Sequence, residues 1–262
     1  MAGTISPGSA LVSLTAYGAD EVRRHGQAWY ARLARAAGAD GVEIRSELLR
    51  GDAAELDDLA ALVADSGMAC VYSSAQGMWD AEGRFDAAAV RDGLARAGRL
   101  GAGVLKMSIG GRRPGDAAGL CDLRDLLTGG SVTLLVENDQ TESAGSVPAL
   151  ESFFRAADAA GAPLGMTFDV GNWHWVGECP LQAAHAFASR VRYVHCKGVL
   201  RRPDRWVAVP LQASAAPWRA VLRALPAAAF RAIEYPLTGA DLEHVTRQAL
   251  DSLRRLEQLS DE

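Results

Sequence analysis

The sequence predicts a single α/β domain, a (β/α)8 TIM barrel, from three observations. Short β-favouring apolar runs recur eight times, Ala-, Leu- and Arg-rich stretches of helical periodicity separate them, and no Pro- or Ser-rich linker divides the chain. The repeat is about thirty residues, which suits one strand, one helix and their loops. Eight such units fill the 262 residues better as a closed barrel than as a doubly wound sheet. Residues 1–262 are accordingly read as one domain, with 1–9 as a flexible tail.

The first strand is ALVSLT at 10–15, followed by a helix over 20–37 that stops at Gly38. GVEIR at 41–45 is the second, with a helix over 52–66 ending at Gly67. ACVYSS at 69–74 and a helix over 86–100, closed by Gly101, make the third unit, and GVLKMSI at 103–109 opens the fourth. VTLLVE at 132–137 is the fifth strand, with a helix over 147–160 ending at Gly161. LGMTFD at 164–169, VRYVHCK at 191–197 and FRAIEY at 230–235 complete the strands, and a helix over 240–258 follows the last. Glycine just past a helix is a natural stop because it accepts the left-handed backbone. Long loops are expected after strands 3, 4, 6 and 7, over 75–85, 110–115, 170–179 and 198–214. All four lie on the face where barrels keep their substrates.

Composition narrows the function. Hydrophobic residues make up 49% and charged residues 23%, with no tract long enough to span a bilayer, so no membrane partner is expected. The opening MAGTISPGSA lacks the basic start and apolar run of a secretory signal, which predicts a cytoplasmic protein. A net charge of -5 argues against nucleic acid as a partner, because phosphate binding draws on clustered Lys and Arg. Cys70, Cys121, Cys179 and Cys196 form no CxxC pair and read as reduced thiols. Only two of the 27 basic residues are lysines, Lys106 and Lys197, both near strand ends. A compact ammonium does work there that a planar guanidinium does not.

Four strand ends carry the chemistry. TLLVE, MTFD, VRYVH and AIE each run an apolar stretch into a metal-capable side chain: Glu137, Asp169, His195 and Glu234. The C-terminal ends of parallel barrel strands open into one pocket, so these residues converge there. Strand alternation turns Thr133 and Leu135 inward with Glu137, Gly165 and Thr167 with Asp169, Tyr193 and Lys197 with His195, and Ala232 with Glu234. Cys196 then faces the helices. Three carboxylates and an imidazole suit one hard divalent ion, Mn2+ first, with Mg2+, Co2+ or Zn2+ also accommodated. Glu137 and Glu234 would face each other across it. That is the arrangement for removing a carbon-bound proton, passing through a metal-stabilised enediolate, and returning the proton to the same or the neighbouring carbon.

Other residues of the mouth are candidates for binding substrate. Glu43 shares inward parity with Arg45 and is read as a contact to distal hydroxyls. Lys106 and Lys197 are placed to stabilise an enolate oxygen or bind a carboxylate. Trp173 and Trp175 offer aromatic faces to the C–H face of a sugar. Arg112 and Arg113, in GGRRPG, read as a solvated loop tip. His25, His185 and His244 fall in helices and read as surface or packing residues.

VENDQT, FDVGNWHW, YVHCKG and IEYP resemble the strand-end motifs of the xylose isomerase-like barrel superfamily. That group includes sugar isomerases, ketose 3-epimerases, inosose dehydratases, hydroxypyruvate isomerases and endonuclease IV. The resemblance covers nearly the whole chain. It implies that Glu137, Asp169, His195 and Glu234 hold the metal, and that Glu137 and Glu234 are the acid/base pair of an epimerase-like reaction. It also implies that Arg201 contacts substrate and that the chain forms homo-oligomers. Two positions depart from the pattern. Asn172 stands where many relatives have a histidine, so it can hydrogen-bond a hydroxyl but not exchange its proton. Lys197 is followed by Gly198 where relatives often read HxKD.

The function expected is therefore a metal-dependent isomerase or epimerase acting on a small carbohydrate. A lyase on the same site, eliminating water or an aglycone from a keto-sugar or keto-inositol, is the alternative that Asn172 and the lysines raise. An endonuclease IV-like nuclease would need more histidines and a basic groove. A binding barrel without catalysis would hold no metal.

Overall fold

The computed structural model describes residue 6, residues 8–51 and residues 53–258. The strands are β1 (Ala10–Ser13), β2 (Gly41–Arg45), β3 (Ala69–Gly77), β4 (Val104–Ser108), β5 (Thr133–Glu137), β6 (Gly165–Asp169), β7 (Val191–Cys196), β8 (Gly198–Arg201), β9 (Trp206–Val209) and β10 (Phe230–Ile233). The helices are α1 (Ala19–His25), α2 (Gln27–Ala36), α3 (Ala53–Ser66), α4 (Ala87–Leu100), α5 (Ala117–Leu127), α6 (Glu142–Gly145), α7 (Val147–Ala159), α8 (Pro180–Phe187), α9 (Trp218–Ala224) and α10 (Leu242–Gln258). Strands β1 to β7 and β10 close into a parallel barrel in sequence order, with β10 returning to pair β1. The fold is the predicted (β/α)8 barrel. Of the expected tail, residues 1–5 and 7 lie outside the described residues, while the Ser9 carbonyl accepts from the Arg231 N–H at 3.0 Å.

Alternation sorts each strand into two layers. Leu11, Val71, Val104, Leu135, Tyr193, Phe230 and Ala232 pack together inside the barrel. Their neighbours Val12, Val136, Phe168, Val194 and Ile233 pack outward against the helices, with Cys70 and Cys196 among them. Burying each large aliphatic or aromatic side chain is worth about 1.5–3 kcal/mol, so a one-residue slip of any strand would forfeit the layer on both faces. All four cysteines are free thiols. No helix among the described residues is long and apolar enough to cross a membrane.

Register sets the heights of the strand ends. Glu137 lies level with Thr167, Asp169 level with His195, and His195 level with Ala232. Each step around the barrel therefore climbs or holds one inward position, the stagger that a tilted, closed sheet requires.

Two segments differ from expectation. The helix over 20–37 is broken by Gly26, whose φ of 85° is left-handed and ends α1 with a bond from its N–H to the Val22 carbonyl. The loop over 198–214 contains an antiparallel hairpin, Gly198 opposite Val209 and Arg201 opposite Trp206. Alternating apolar residues in GVLR and WVAV supply its pairing, a pattern too short to stand out beside the barrel strands.

Candidate metal centre

Glu137, Asp169, His195 and Glu234 converge at the C-terminal end of the barrel, with one donor atom from each lying within 4.8 Å of all the others. Nδ1 of His195 is the hub: Glu137 Oε1 and Glu234 Oε2 are each 3.0 Å away, and Asp169 Oδ2 is 3.6 Å away. Asp169 and His195 are fully buried, whereas the Glu137 and Glu234 side chains keep 16% and 12% exposure. Those two glutamates face a mouth cavity of about 520 Å³, lined also by Arg45, Asn172, Lys197 and Tyr235.

Asp169 fits a cation by what it leaves unpaired. Its Oδ1 accepts the Gly171 and Asn172 backbone N–H groups at 2.8 and 2.9 Å, which fixes the carboxylate plane. Its Oδ2 is buried and no hydrogen-bond donor is aligned with it, the Lys197 ammonium standing 2.7 Å away as a bare ion pair. The ion pair leaves lone pairs of that buried carboxylate oxygen without an aligned partner, where a cation ligand would be accommodated. With two glutamates and an imidazole around it, the donor set is that of a hard divalent ion.

Backbone clamps hold the strand ends in place. Asn138, fully buried, donates to the Asp169 carbonyl at 3.0 Å and accepts the Asp169 N–H at 2.9 Å. Gln27 does the same for Arg45, donating to its carbonyl at 2.9 Å and accepting its N–H at 2.8 Å. Gly171 leaves room for Lys197: a Cβ there would come within 3.0 Å of the lysine Cε.

Beneath the pocket lies a second set of charges. Glu43 is fully buried on β2, and its Oε2 meets His195 Nε2 at 2.8 Å and accepts the Tyr193 hydroxyl at 3.0 Å. A carboxylate only accepts, so a neutral His195 carries its proton on Nε2 and turns the Nδ1 lone pair toward the other three donors. Glu43 Oε1 accepts from Ser13 at 3.1 Å and Arg45 at 2.8 Å, with Lys106 Nζ 3.4 Å away. Arg45 continues to Glu234 Oε1 at 2.8 Å, and Lys106 donates to both Glu137 oxygens at 2.8 Å. Glu43 thus ties the histidine to the supports of both glutamates.

The electrostatics follow from this packing. Burial works against charge on the glutamates. Even so, Lys106 and His195 hold Glu137 below the usual carboxylate range, and His195, Lys197 and Arg45 hold Glu234 well below it. Glu43 is held well below the range by His195, Lys106 and Arg45 against the same burial. Burial also disfavours the imidazolium of His195, but Glu234 and Glu43 outweigh it and raise its pKa well above the ordinary value. Lys197 is raised in the same way, burial being overcome by Asp169 and Glu234.

The raised histidine has a measurable consequence. In the metal-free protein the raised pKa favours a proton on Nδ1, which points where a cation would sit, so cation and proton compete. Mn2+ binding is expected to release about one proton and to tighten as pH rises toward the raised pKa, weakening as pH falls. Calorimetry in buffers of different ionisation enthalpy measures the release. An affinity that stays flat between about pH 6 and 9 would count against Nδ1 as a donor.

A model of the xylose isomerase-like TIM barrel family matches residues 31–256. The chain belongs to this family. No functionally curated protein matches the sequence. Among solved structures, this xylose isomerase-like barrel resembles a xylose isomerase-like TIM barrel/4-hydroxyphenylpyruvate dioxygenase fusion protein, with TM-score 0.71 and 16% identity over 96% of the chain. It spans 43% of that protein's length. It also resembles a D-psicose 3-epimerase from Clostridium cellulolyticum H10 solved with D-tagatose, with TM-score 0.64 and 13% identity over 95% of this chain and 99% of the other. The third is a probable 3-DHS dehydratase from Bacillus anthracis, with TM-score 0.68 and 11% identity over 94% and 98% of the two chains.

The other residues expected to touch substrate are distributed unevenly in this xylose isomerase-like barrel. Asn172 and Lys197 line the mouth, although the Asn172 amide already donates to the Asn138 carbonyl at 2.9 Å and accepts from Gln140 at 3.1 Å. Glu43 and Lys106 lie below the glutamates, 0% and 1% exposed, and support the site from beneath. Trp173 is fully buried, with its ring centroid 5.3 Å from that of Phe168 and 6.0 Å from that of Phe187, so it packs the loop. Trp175 is half-buried and lies off the mouth lining. Arg201 sits on the hairpin, exposed, 5.3 Å over the Trp206 ring. His25, His185 and His244 are exposed on helices. Arg112 is buried, a correction to its reading as a solvated loop tip.

Proposed function

We propose that this barrel is a divalent-metal-dependent sugar isomerase or epimerase, with Glu137 and Glu234 as its proton-transfer pair. The observation that carries this is the division of the four donors: only the two glutamates reach the mouth cavity, while Asp169 and His195 are sealed beneath. A bound Mn2+, held by Glu137, Asp169, His195 and Glu234, would polarise a ketose carbonyl and acidify the adjacent C–H bond. Glu137, fixed at both oxygens by Lys106, is a carboxylate ready to accept that proton. Glu234 stands on the other side of His195 and returns a proton, its carboxylate steered by Arg45 and Lys197. Lys197 faces the cavity as a fixed positive charge that favours an enediolate oxygen. Tyr235 and Asn172 border the same space and suit a small polyol chain. The substrate class and a cytoplasmic setting belong to this proposal.

Elimination of water on the same site is the second reading, favoured by the Lys197 ammonium beside Glu234 at 3.0 Å. Incubation of the Mn2+-loaded protein with ketoses in heavy water separates the two. Deuterium carried into an isomeric sugar is the expected result. An unsaturated product would transfer the assignment to a lyase, and no exchange with any ketose would end the proposal.

A further inference from the structure

The loop between β4 and α5 carries a cation that sits largely buried between two aromatic rings. Arg112 is 9% exposed, with its guanidinium carbon 5.6 Å from the Trp79 ring centroid and 5.5 Å from that of Phe153. Its Nε is buried without a hydrogen-bond partner, and among the described residues the group makes no ion pair. Asp116 is the acid beside it, but both Asp116 oxygens are committed. Oδ2 accepts the Trp79 indole N–H at 2.6 Å, and Oδ1 accepts the Gly119 N–H at 2.9 Å as the cap of α5. Aromatic faces offset part of the loss of water around a guanidinium, but the buried Nε–H still lacks an acceptor.

The arginine is held in this position by its loop. Gly110, at φ 65°, sits so close that a Cβ would fall 2.3 Å from the Trp79 carbonyl, and a Cβ on Gly111 would fall 2.2 Å from that of Asp80. The loop is therefore pressed onto the segment after β3, and Arg112 follows it inward. There it and Asp116 line a cavity of about 340 Å³ between α5 and α7, otherwise walled by small and apolar residues such as Ala117, Leu120, Ala156 and Ala160. None of these residues borders the barrel mouth.

We propose that this cavity is a second binding site, taking a small organic carboxylate with an apolar body. The planar fork of a guanidinium matches a carboxylate in two parallel hydrogen bonds, and the alanine and leucine walls accept the hydrocarbon. Asp116 lines the same cavity and already opposes the charge of Arg112, so recognition of a monocarboxylate rests on the two hydrogen bonds of the fork, and a phosphate dianion, bringing more charge beside Asp116, fits worse.

The probe is 4-bromobenzoate, with 4-bromobenzamide as its uncharged match, titrated calorimetrically into the Mn2+-loaded full-length protein. The acid is expected to bind once per chain, and the amide to bind weaker on the order of tenfold. Arg112→Gln should cost the acid a similar factor by removing the fork. Ala156→Phe should abolish binding by filling the cavity while keeping the arginine, and it decides the matter if the first variant does not fold. Anomalous scattering from the bromine in a soaked crystal should place it beside Arg112. Unchanged binding in both variants, bromine in the barrel mouth alone, or binding at crystal concentration only would each overturn the site.

Discussion

Glu234→Gln and Glu137→Gln are each expected to lower ketose turnover by about a hundredfold to ten-thousandfold, the range for loss of a positioned general acid or base. Glutamine keeps the size of the side chain and can still offer one oxygen, so part of the metal content should survive. Asp169→Asn, by contrast, changes the buried carboxylate whose Oδ2 has no aligned donor and should empty the site of metal. Measuring kcat, solvent deuterium wash-in and metal content on all three variants distinguishes loss of proton transfer from loss of the ion. A glutamine variant with full metal and a kcat near that of the unaltered protein would remove that glutamate from the mechanism.

Glu43→Leu is expected to destabilise the fold by about 3–5 kcal/mol, because it leaves Lys106 and Arg45 buried with one counter-charge fewer. For a chain of this size that amounts to a drop in melting temperature on the order of ten degrees. Metal affinity should also weaken by about ten- to a hundredfold, since the Nε2 contact that orients His195 is gone. Glu43→Gln keeps an acceptor for that ring and should lose less affinity than Glu43→Leu while losing comparable stability. Thermal unfolding and Mn2+ titration check both. Native melting and affinity in Glu43→Leu would mean that the network is ornamental.

Much of this was legible in the chain because strand alternation is a strong constraint. Inward parity brought Glu137, Asp169, His195 and Glu234 to one end of one barrel, and the inner packing of Leu135, Tyr193 and Ala232 follows the same parity. What parity cannot give is depth. Glu43 and Lys106 are inward residues like Glu137, but they lie lower in the barrel, buried among other charges. Their partners come from strands 31 and 152 residues distant in sequence, as for Lys106 with Glu137 and Glu43 with His195, so no local pattern announces them. Trp173 was misleading for a related reason: a 3-10 turn over Asn172–Val176 sends successive side chains in different directions, Asn172 to the mouth and Trp173 into the packing beside Phe187. Asn138 lay within a recognised motif, and its clamp on β6 depends on backbone geometry alone.

The carboxylates and fixed cations around His195 also bear on which species the site prefers to hold. Glu43, Glu47, Glu137, Asp169 and Glu234 interlock with Arg45, Lys106 and Lys197, leaving two negative charges over when the imidazole is neutral, which a divalent ion would balance. Passing a carbon-bound proton to Glu137 leaves that total unchanged but moves a negative charge off the glutamate and onto the substrate oxygens. Arg45 and Lys197, which border the cavity, would favour that redistribution over the neutral sugar, which is where binding energy lowers a barrier and does not merely retain the substrate.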